Sequence, residues 1–356
     1  MLFKRGVNMS IKKFLEKFGW IDNPFKIAPI RDPSILVGVD EELQRLQASV
    51  AFGGDVIIEG PYGAGKTSLL RCLETLTKKT DIPVYFPRPP VNVKGLIWSI
   101  QNALELEGAE MEFYEIYNNL ATLEDQKLII LLDEAHRLSS DIAQYLQDLS
   151  DLETVVLVYA ALDGFYIQHL PEIHRTLYDR VVEVINLSLL TTDEIKEMII
   201  KRIKSVGGKG IEPFTEDALD LIAEASGGAP REALKICGTA IIKAITSKIE
   251  KIDRSVIEDV ISRKPSEIIN RIRRLGKREK EVLRIFVKKS AITNKDVQAE
   301  LKISSQAAYN ILARLMEKEL IEAKTSGTSS KVKEYIPKEI VKRVLTPEIA
   351  DRILST

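Results

Sequence analysis

Hydrophobic and polar positions along the chain form blocks that favour a parallel sheet covered by helices. Short apolar runs, each of a length typical of buried strands, are separated by stretches whose apolar positions recur with the helical period. Parallel strands need crossover connections, which are usually helices, so this alternation predicts a three-layer α/β sheet. The five predicted strands lie at residues 55–59, 83–86, 127–132, 154–161 and 181–187.

Helical patterns without strands follow this sheet. Periodic apolar positions at 193–206, 216–225 and 231–248, with a short turn at 254–261, predict a small all-α domain over residues 188–263. Residues 264–276, which include Pro265, are predicted to be a partly helical linker. Residues 1–35, before the sheet domain at 36–187, predict a short amphipathic helix capped by Ser10 and then an extended segment.

Residues 277–345 have the pattern of a winged helix, and 346–356 form a tail. A helix at 277–288 is followed by a short helix at 294–301, a tight turn and a longer helix at 305–319, which is the order of a helix-turn-helix. Two short runs, 320–323 and 331–336, then predict a β-hairpin wing.

One glycine-rich segment follows the first predicted strand. Gly60-Pro61-Tyr62-Gly63-Ala64-Gly65-Lys66-Thr67 matches the pattern G-x-x-x-x-G-K-[ST] at every fixed position, and a helical pattern opens at Ser68. The glycines let the backbone wrap around phosphates, and the helix N-terminus directs N–H groups at the anion. Lys66 is expected beside the β- and γ-phosphates, and the Thr67 hydroxyl on Mg²⁺. The sequence therefore predicts a nucleoside triphosphate site with Mg²⁺.

A second motif, Asp133-Glu134-Ala135-His136, ends the apolar run at 127–132. The carboxyl ends of parallel strands meet at one edge of a sheet, so Asp133 is expected beside the phosphate loop, residues 60–67. Asp133 would hold Mg²⁺ through water. Glu134 would orient or deprotonate the attacking water.

Together with the turn Gly227-Gly228-Ala229-Pro230-Arg231, these motifs resemble those of AAA+ ATPases, and more narrowly those of archaeal replication initiators and transposition regulators. The resemblance implies ATP as the nucleotide, ATP hydrolysis, and self-association through the AAA+ domain. It also implies that residues 188–263 are a lid, from which Arg231 contacts the γ-phosphate. Either Arg175 or Arg180 would be the arginine finger offered to a neighbouring subunit. Val37 would belong to an adenine-side box.

Two positions depart from the family pattern. The sensor-1 position, usually Asn, Ser or Thr, falls on Ala160 or Ala161, and Val39 stands where arginine is common in the adenine-side box. Alanine cannot hydrogen-bond a phosphate or a water, so hydrolysis is expected to be slow. A slowly switching signalling NTPase or transcription regulator therefore remains an alternative to an initiator-like ATPase. Asp-Glu-Ala-His also occurs in helicases, but no second α/β lobe is predicted after residue 190.

Charge is distributed unevenly, although the net value is only −1. Residues 1–263 contain 30 Lys and Arg against 40 Asp and Glu, whereas residues 264–343 contain 20 against 10. A basic block on an acidic body predicts duplex DNA as the partner of the C-terminal part. A protein-docking winged helix with no DNA role is the alternative.

The helix at 305–319 is the predicted reading helix, because its apolar stripe leaves one polar face outward. Ser304 and Ser305 would contact phosphate at its N-terminus, and the two lysines of the wing would add attraction that is independent of sequence. Side chains of the remaining types read base edges in a major groove. The expected DNA contacts are Ser304, Ser305, Gln306, Tyr309, Asn310, Arg314, Lys331 and Lys333.

Other classes of protein are disfavoured. No apolar run reaches the ~18 residues of a membrane helix, and the first twenty residues lack the apolar centre of a signal peptide. Cys72 and Cys237 fall in helical patterns and are expected to be buried thiols, which favours a cytoplasmic protein. The cysteines and the three histidines have no metal-ligand spacing.

Overall fold

The fold is described from a computed structural model for residues 11–108, 111–324, 333–346, 350 and 353–354. The chain divides into two compact units, Met1–Ile257 and Glu258–Thr356. The predicted cap Ser10 and part of the predicted wing and tail, including Lys331, lie outside the described residues.

A five-stranded parallel sheet is the framework of the first unit. Its strand order is β2-β3-β4-β1-β5, and every neighbouring pair is parallel. Strands β1, β3 and β4 are buried at every position, which explains why their sequences do not alternate between apolar and polar residues; β1 is apolar between a buried Asp55 and a buried Glu59. The strands are β1 (Asp55–Glu59), β2 (Ile82–Phe86), β3 (Leu128–Leu132), β4 (Val155–Ala161) and β5 (Val181–Asn186).

Alternate strand residues face two separate helical layers. Ile130 and Leu157 belong to one core, with residues of the helices that follow β2 and β3. Ile129 and Val156 belong to the other, with residues of the helices on either side of β1. The predicted three-layer α/β fold is therefore confirmed. The helices of this region are α1 (residues 11–17), α2 (Asp40–Phe52), α3 (Lys66–Thr77), α4 (Val93–Ala103), α5 (Phe113–Ala121), α6 (Ser140–Ser150), α7 (Leu170–Ile173) and α8 (Arg175–Arg180).

Three helices after β5 form the predicted all-α region, still within the first unit: α9 (Thr192–Ser205), α10 (Glu216–Ser226) and α11 (Pro230–Ser247). Thr191 and Glu194 make a capping box at the start of α9, and Thr215 caps α10. Gly227 ends α10 in the left-handed conformation, and Pro230 occupies the first turn of α11, where its missing N–H costs nothing.

The extended segment after α1 spans from the helical region to the phosphate loop. At one end, the Ile21 N–H donates to the Val206 carbonyl, and Phe25 packs edge-on against Phe214 of the helical region. At the other end, the Ile30 N–H donates to the hydroxyl of Ser68 in α3, at 3.2 Å. This segment therefore connects the helical region of α9–α11, predicted to be a lid, to the sheet domain.

The second unit contains the helices and the hairpin that the sequence predicts to be a winged helix. Helices α13 (Lys277–Lys288), α14 (Asn294–Leu301) and α15 (Ser305–Glu317) are followed by the hairpin of β7 (Ile321–Lys324) and β8 (Glu334–Pro337) and by α16 (Glu339–Val344). The short strand β6 (Ile292–Thr293) completes an antiparallel sheet of order β6-β8-β7. The elements match the prediction, and the stripe on α15 that includes Ala308, Leu312 and Leu315 is buried.

The region predicted as a linker differs from the structure. Helix α12 runs from Arg254 to Arg273, through Pro265, and the boundary between the units falls inside it, after Ile257. Proline usually ends a helix because it lacks an N–H, which is why the pattern predicted a break. Ile268, Ile272 and Leu275 belong to the core of the second unit, and this burial stabilises the helix beyond the proline.

Among the described helices, none has the length and apolar character required to cross a membrane.

Candidate active site

The phosphate loop connects β1 to α3 and depends on its glycines. Gly60 has φ 157°, and a Cβ there would lie 2.6 Å from the Leu187 carbonyl oxygen. Gly65 caps α3 with φ 105°, in the left-handed region that other residues rarely adopt. The first N–H groups of α3 have no partner within the helix, so the turn presents them to an anion.

Lys66 is held inside this loop. Its ammonium donates to the carbonyl oxygens of Gly60 at 2.7 Å and Pro61 at 2.9 Å. Burial lowers the pKa of Lys66, while the carboxylates of Asp163, Asp133 and Glu134 act against that shift. Among the described residues, this half-buried cation has no direct ion pair, so it is suited to bind the negative charge of a phosphate.

Asp133 accepts hydrogen bonds on both carboxylate oxygens. Its Oδ2 accepts from the Thr67 hydroxyl at 2.7 Å and from the Tyr85 hydroxyl at 3.0 Å, while Oδ1 accepts from the Glu134 N–H at 2.9 Å. The register of parallel strands brings this about, because β2 and β3 end at the same edge.

Thr67 and Asp133 have the chemistry of a Mg²⁺ site. They place a hydroxyl and a carboxylate oxygen side by side, and Mg²⁺ prefers hard oxygen ligands while keeping several water or phosphate ligands. In the described part of the chain, no group of three or more His, Cys, Asp or Glu residues is arranged to hold a metal ion. The residues therefore fit a metal that arrives with phosphates.

Tyr85 is a component that sequence reasoning missed. The guanidinium carbon of Arg71 lies 3.3 Å from the centre of the Tyr85 ring, and Arg71 pairs with Glu74 at 2.6 Å. Burial, followed by the nearby Asp133 carboxylate, raises the pKa of Tyr85, so its hydroxyl stays a donor. A tyrosine inside a strand pattern resembles any other β-forming residue, and only the fold brings it to Asp133.

Glu134 has an unusual backbone conformation beside this network. It lies in the left-handed region, with φ 54° and ψ 36°, at a cost of about 1 kcal/mol or more for a non-glycine residue. Its carboxylate is 3.5 Å from His136 Nε2 and 3.6 Å from Arg137 Nε. Burial lowers the pKa of His136, which leaves this imidazole neutral near pH 7.

The predicted lid contacts the phosphate loop through the first turn of α11. Arg231 donates to the Tyr62 hydroxyl, and its guanidinium carbon lies 5.1 Å from the Tyr62 ring centre. A Cβ on Gly228 would lie 2.3 Å from the Leu190 carbonyl oxygen, so the Gly-Gly turn packs directly on the chain that enters the lid. The predicted lid arginine is therefore brought to the nucleotide loop.

These groups surround one cavity of about 560 Å³. Of the predicted residues, it is lined by Tyr62, Gly63, Gly65, Lys66, Thr67, Ser68, Asp133, Glu134 and Arg231, as well as Ala160 and Ala161. Val37, predicted to contact the adenine, is buried but does not line the cavity. Ile27, Ala28 and Pro29 of the N-terminal segment do, and they were missed because an irregular segment carries no periodic signal.

Comparison with known proteins agrees with this geometry. Residues 54–166 match the AAA domain family. The ORC2 protein of Aeropyrum pernix, solved as ADPNP–ADP complexes, superposes with a TM-score of 0.61 at 17% identity over 94% of this chain and 98% of that chain. The chain has the AAA+ ATPase fold.

Other matches extend this result. The ORC1 protein of Aeropyrum pernix in complex with DNA shares the AAA+ fold, with a TM-score of 0.58 at 17% identity over 91% of this chain and 95% of that one. A protein of Methanocaldococcus jannaschii named an uncharacterized HTH-type transcriptional regulator is 26% identical over 71% of this chain and 75% of its own length. General secretion pathway protein A of Aeromonas hydrophila is 28% identical over 67% of this chain, which spans only 46% of that relative.

The two candidate finger arginines of the AAA+ domain have different surroundings, and neither lines the cavity. Arg180 donates to the Ser150 carbonyl and pairs with Asp151. Arg175 is exposed, and its contacts within the described residues lie in its own helix: an ion pair with Asp179 at 3.2 Å and the Tyr178 ring, whose centre is 4.7 Å from the guanidinium carbon. The structure thus ties Arg180 down within the chain and leaves Arg175 at the surface.

The predicted reading face of α15 is exposed. Ser304 caps the helix by accepting from the Ala307 N–H, and Gln306 donates to Asn310 at 3.1 Å. Arg314 donates to the Asn310 carbonyl at 3.2 Å, and Tyr309 is 49% exposed. Ser305 and Lys333 are also exposed.

Proposed function

We propose that this chain binds ATP with Mg²⁺ in the AAA+ cavity, hydrolyses it slowly, and binds duplex DNA through the winged helix. The observation that carries the proposal is the 2.7 Å contact between the Thr67 hydroxyl and Asp133, with Lys66 and Glu134 as immediate neighbours in sequence. This arrangement supplies the two oxygen ligands, the cation and the carboxylate that phosphoryl transfer to water requires.

Each protein group has a distinct role in this proposal. The ammonium of Lys66 exchanges its bonds to the loop carbonyls for phosphate oxygens, and the N–H groups of α3 bind the same phosphates. Thr67 and Asp133 hold Mg²⁺, which supplies charge neutralisation when bound. Glu134 orients the attacking water and accepts its proton. The nearby His136 is neutral and therefore does not form a full ion pair with the Glu134 carboxylate.

The lid provides a route from nucleotide to conformation. Arg231 donates to Tyr62 of the phosphate loop, and a γ-phosphate offers that guanidinium a stronger, charged acceptor. Because such a contact exists in the triphosphate state alone, it biases the lid by its differential affinity. Arg175 is exposed, and its one ion pair among the described residues is with Asp179 of α8. It is the proposed finger toward a neighbouring subunit, which would bring self-association.

The proposed DNA partner rests on the exposed face of α15 and the positive charge of the second unit. The ORC1 structure with DNA, which has the same fold, and the relative named an HTH-type transcriptional regulator support the assignment.

The test is ATP turnover by the full chain and by Glu134→Gln, each with and without a 30-base-pair duplex. Removing the general base should lower turnover by about 10²–10⁴-fold and leave nucleotide affinity unchanged. Glu124→Gln, an exposed carboxylate in the same domain, is the matched control and should behave as wild type. Turnover that survives in Glu134→Gln would remove Glu134 from the reaction.

A second candidate function, a nucleotide switch that scarcely turns over, is favoured by one observation. Ala160 and Ala161 line the cavity where a hydrogen-bonding side chain would position water or phosphate. Tight ATP binding without turnover in wild type would support the switch. Light scattering with DNA then separates the two functions, because an initiator-like ATPase should assemble on DNA with ATP whereas a regulator should bind one site as a small oligomer.

A further inference from the structure

A run of exposed cations lies where α12 ends and α13 begins. Five of the eight residues from 271 to 278 are Arg or Lys, and none is acidic. All five are exposed, and within the described residues none of them forms an ion pair. We name Arg271, Arg273, Arg274, Lys277 and Arg278 the α12–α13 basic cluster.

Part of this cluster lines a surface cavity. Arg271 and Arg274 line a cavity of about 440 Å³ together with Asn270, Leu275 and Lys318. The Arg271 Nη1 donates to the carbonyl of Lys318 at 3.1 Å, directly after the end of α15. A helix C-terminus has partial negative charge that repels anions, and this hydrogen bond satisfies one of the carbonyls responsible.

The cluster retains a large excess of positive charge. At the start of α13, the Glu279 carboxylate binds the ammonium of Lys318 at 2.6 Å. That pair cancels, and no described carboxylate forms an ion pair with any of the five cations of the cluster. Self-repulsion among unpaired cations is relieved by a polyanion, so the cluster is suited to a ligand with repeated negative charges.

The cluster also adjoins the reading face of α15. Lys318 follows Arg314 by one helical turn, about 6 Å along the axis. Along α15 itself, the exposed candidates are Ser305, Gln306, Tyr309, Asn310 and Arg314, of which only Arg314 is charged. Because half to two-thirds of protein–DNA hydrogen bonds go to the backbone, a reading face with one cation needs phosphate contacts from a neighbouring surface.

We propose that the α12–α13 basic cluster binds the phosphate backbone of duplex DNA beside the groove that α15 enters. This inference rests on the proposed DNA-binding function. An anionic lipid surface has similar charge, but membrane-surface binding also needs inserted apolar side chains. In the described part of the second unit, Tyr309 on α15 is the one large hydrophobic residue that is exposed.

Salt dependence of DNA binding tests the proposal. The full chain is titrated against a fluorescent 30-base-pair duplex between 50 and 200 mM KCl, and Arg273→Gln/Arg274→Gln is compared with wild type. The logarithm of the affinity falls with the logarithm of the salt concentration, and each phosphate contact contributes about 0.9 to the steepness of that fall. Loss of two contacts should therefore make the slope about 1.8 less steep. The fourfold rise in salt concentration should then reduce the DNA affinity of the variant by a factor about 12-fold smaller than the reduction in wild type.

Lys78→Gln/Lys79→Gln is the matched control. It removes the same charge from two neighbouring exposed lysines of the first unit, which form no ion pair among the described residues, and should keep the wild-type slope. Circular dichroism establishes that both variants are folded, as expected for exchanges at exposed positions.

Each outcome separates the inference from the function on which it rests. Salt-dependent DNA binding with an equal slope in wild type and Arg273→Gln/Arg274→Gln overturns the cluster and leaves the DNA-binding proposal intact. An equally reduced salt dependence of DNA affinity in both double variants also overturns the proposal for the cluster, because net charge alone would then explain the effect. Absence of salt-dependent DNA binding in wild type, with binding to vesicles of 30% phosphatidylserine, overturns both.

Discussion

The nucleotide cavity and the reading face of α15 are built in opposite ways. In the cavity, Asp133 accepts hydrogen bonds from Thr67 of α3 and Tyr85 of β2, and Lys66 donates to two carbonyl oxygens of the phosphate loop. On α15, the hydrogen bonds of the Gln306 and Arg314 side chains to described residues are made with Asn310 of the same helix. The first site is fixed by packing before its ligand arrives, whereas the second depends on its partner. Substitutions should therefore perturb folding in the first and chiefly binding in the second.

The largest effect is expected from Gly60→Ala. The added Cβ would lie 2.6 Å from the Leu187 carbonyl oxygen, and overpacking together with backbone strain should lower the free energy of unfolding by roughly 2–5 kcal/mol. Chemical denaturation followed by tryptophan fluorescence measures it, because Trp20 and Trp98 both lie in the first unit. Gly108→Ala, with φ 127° but no atom within 4 Å of the added Cβ, separates the two contributions. Equal losses would show that Gly60 has no special close contact.

The next largest effect is expected in the pH dependence of stability, through Asp55. Asp55 is buried at the start of β1, where Oδ1 accepts from the Leu157 N–H and Oδ2 has no partner among the described residues. Burial raises the pKa of Asp55 to about 7, although the Leu157 N–H and the charge of Arg180 oppose the shift. The nearby Tyr159 hydroxyl is also buried without a described partner.

Because this carboxyl holds its proton in the folded state but loses it near pH 4 when unfolded, stability should fall as pH rises from about 4 to 7 and then level off. The total fall is roughly 2–4 kcal/mol. Asp55→Asn should flatten this part of the pH profile of tryptophan-detected unfolding. A profile as steep as wild type would show that another group is responsible.

In the second unit, the contribution of Asp296 to stability should depend on pH in the opposite sense. The Lys289 ammonium, followed by the Thr293 hydroxyl and N–H, lowers the pKa of Asp296 to about 2. Its stabilisation is complete above the ordinary aspartate pKa and disappears as pH falls through about 2. Since the pair is partly exposed, we expect only about 1 kcal/mol. The chemical shift of the Asp296 carboxyl, titrated by NMR in wild type and in Lys289→Gln, measures the pKa. No upward change in Lys289→Gln would contradict the assignment to that ammonium.

A smaller effect on stability, with a clear effect on the metal, is expected from Tyr85→Phe. It removes one hydroxyl donor to Asp133 and should raise the Mg²⁺ concentration for half-maximal nucleotide binding about 10-fold. Affinity for nucleotide in EDTA should not change. Tyr114→Phe, on the exposed surface of α5, is the control. An unchanged Mg²⁺ requirement in Tyr85→Phe would make its hydrogen bond structural rather than functional.

The smallest effect on folding is expected from Asn310→Ala on α15. The residue is exposed, so the free energy of unfolding should change by less than about 0.5 kcal/mol. Discrimination between a preferred duplex and a scrambled one should nevertheless fall by about 1–3 kcal/mol if the side chain reads a base. Anisotropy with both duplexes measures this. Equal discrimination in wild type and variant would place Asn310 outside the base contacts.

How much the sequence predicts differs between these regions for physical reasons. Strands and helices follow from periodicity, and the phosphate loop with Asp133 follows from spacing, so both were predicted. Tyr85 and the Ile27–Pro29 wall depend on contacts distant in sequence, which no local pattern encodes. Helix α12 continued past Pro265 because burial of Ile268 and Ile272 outweighs a local signal. The assignment of adenine contact to Val37 stays a prediction, and the cavity wall gives it no support.

The segment that joins the lid to the phosphate loop bears on how this protein can be dissected. The AAA domain match covers residues 54–166, yet Ile27, Ala28 and Pro29 wall the cavity, and Phe25 packs against Phe214 far outside that range. A recombinant fragment cut at the match boundaries would leave Ile58 and Leu70 of the adjoining core without neighbours such as Leu46. The smallest independently folding piece that keeps this cavity should therefore run from about residue 11 through Ile257, because Ile252 pairs with the backbone on either side of Phe214.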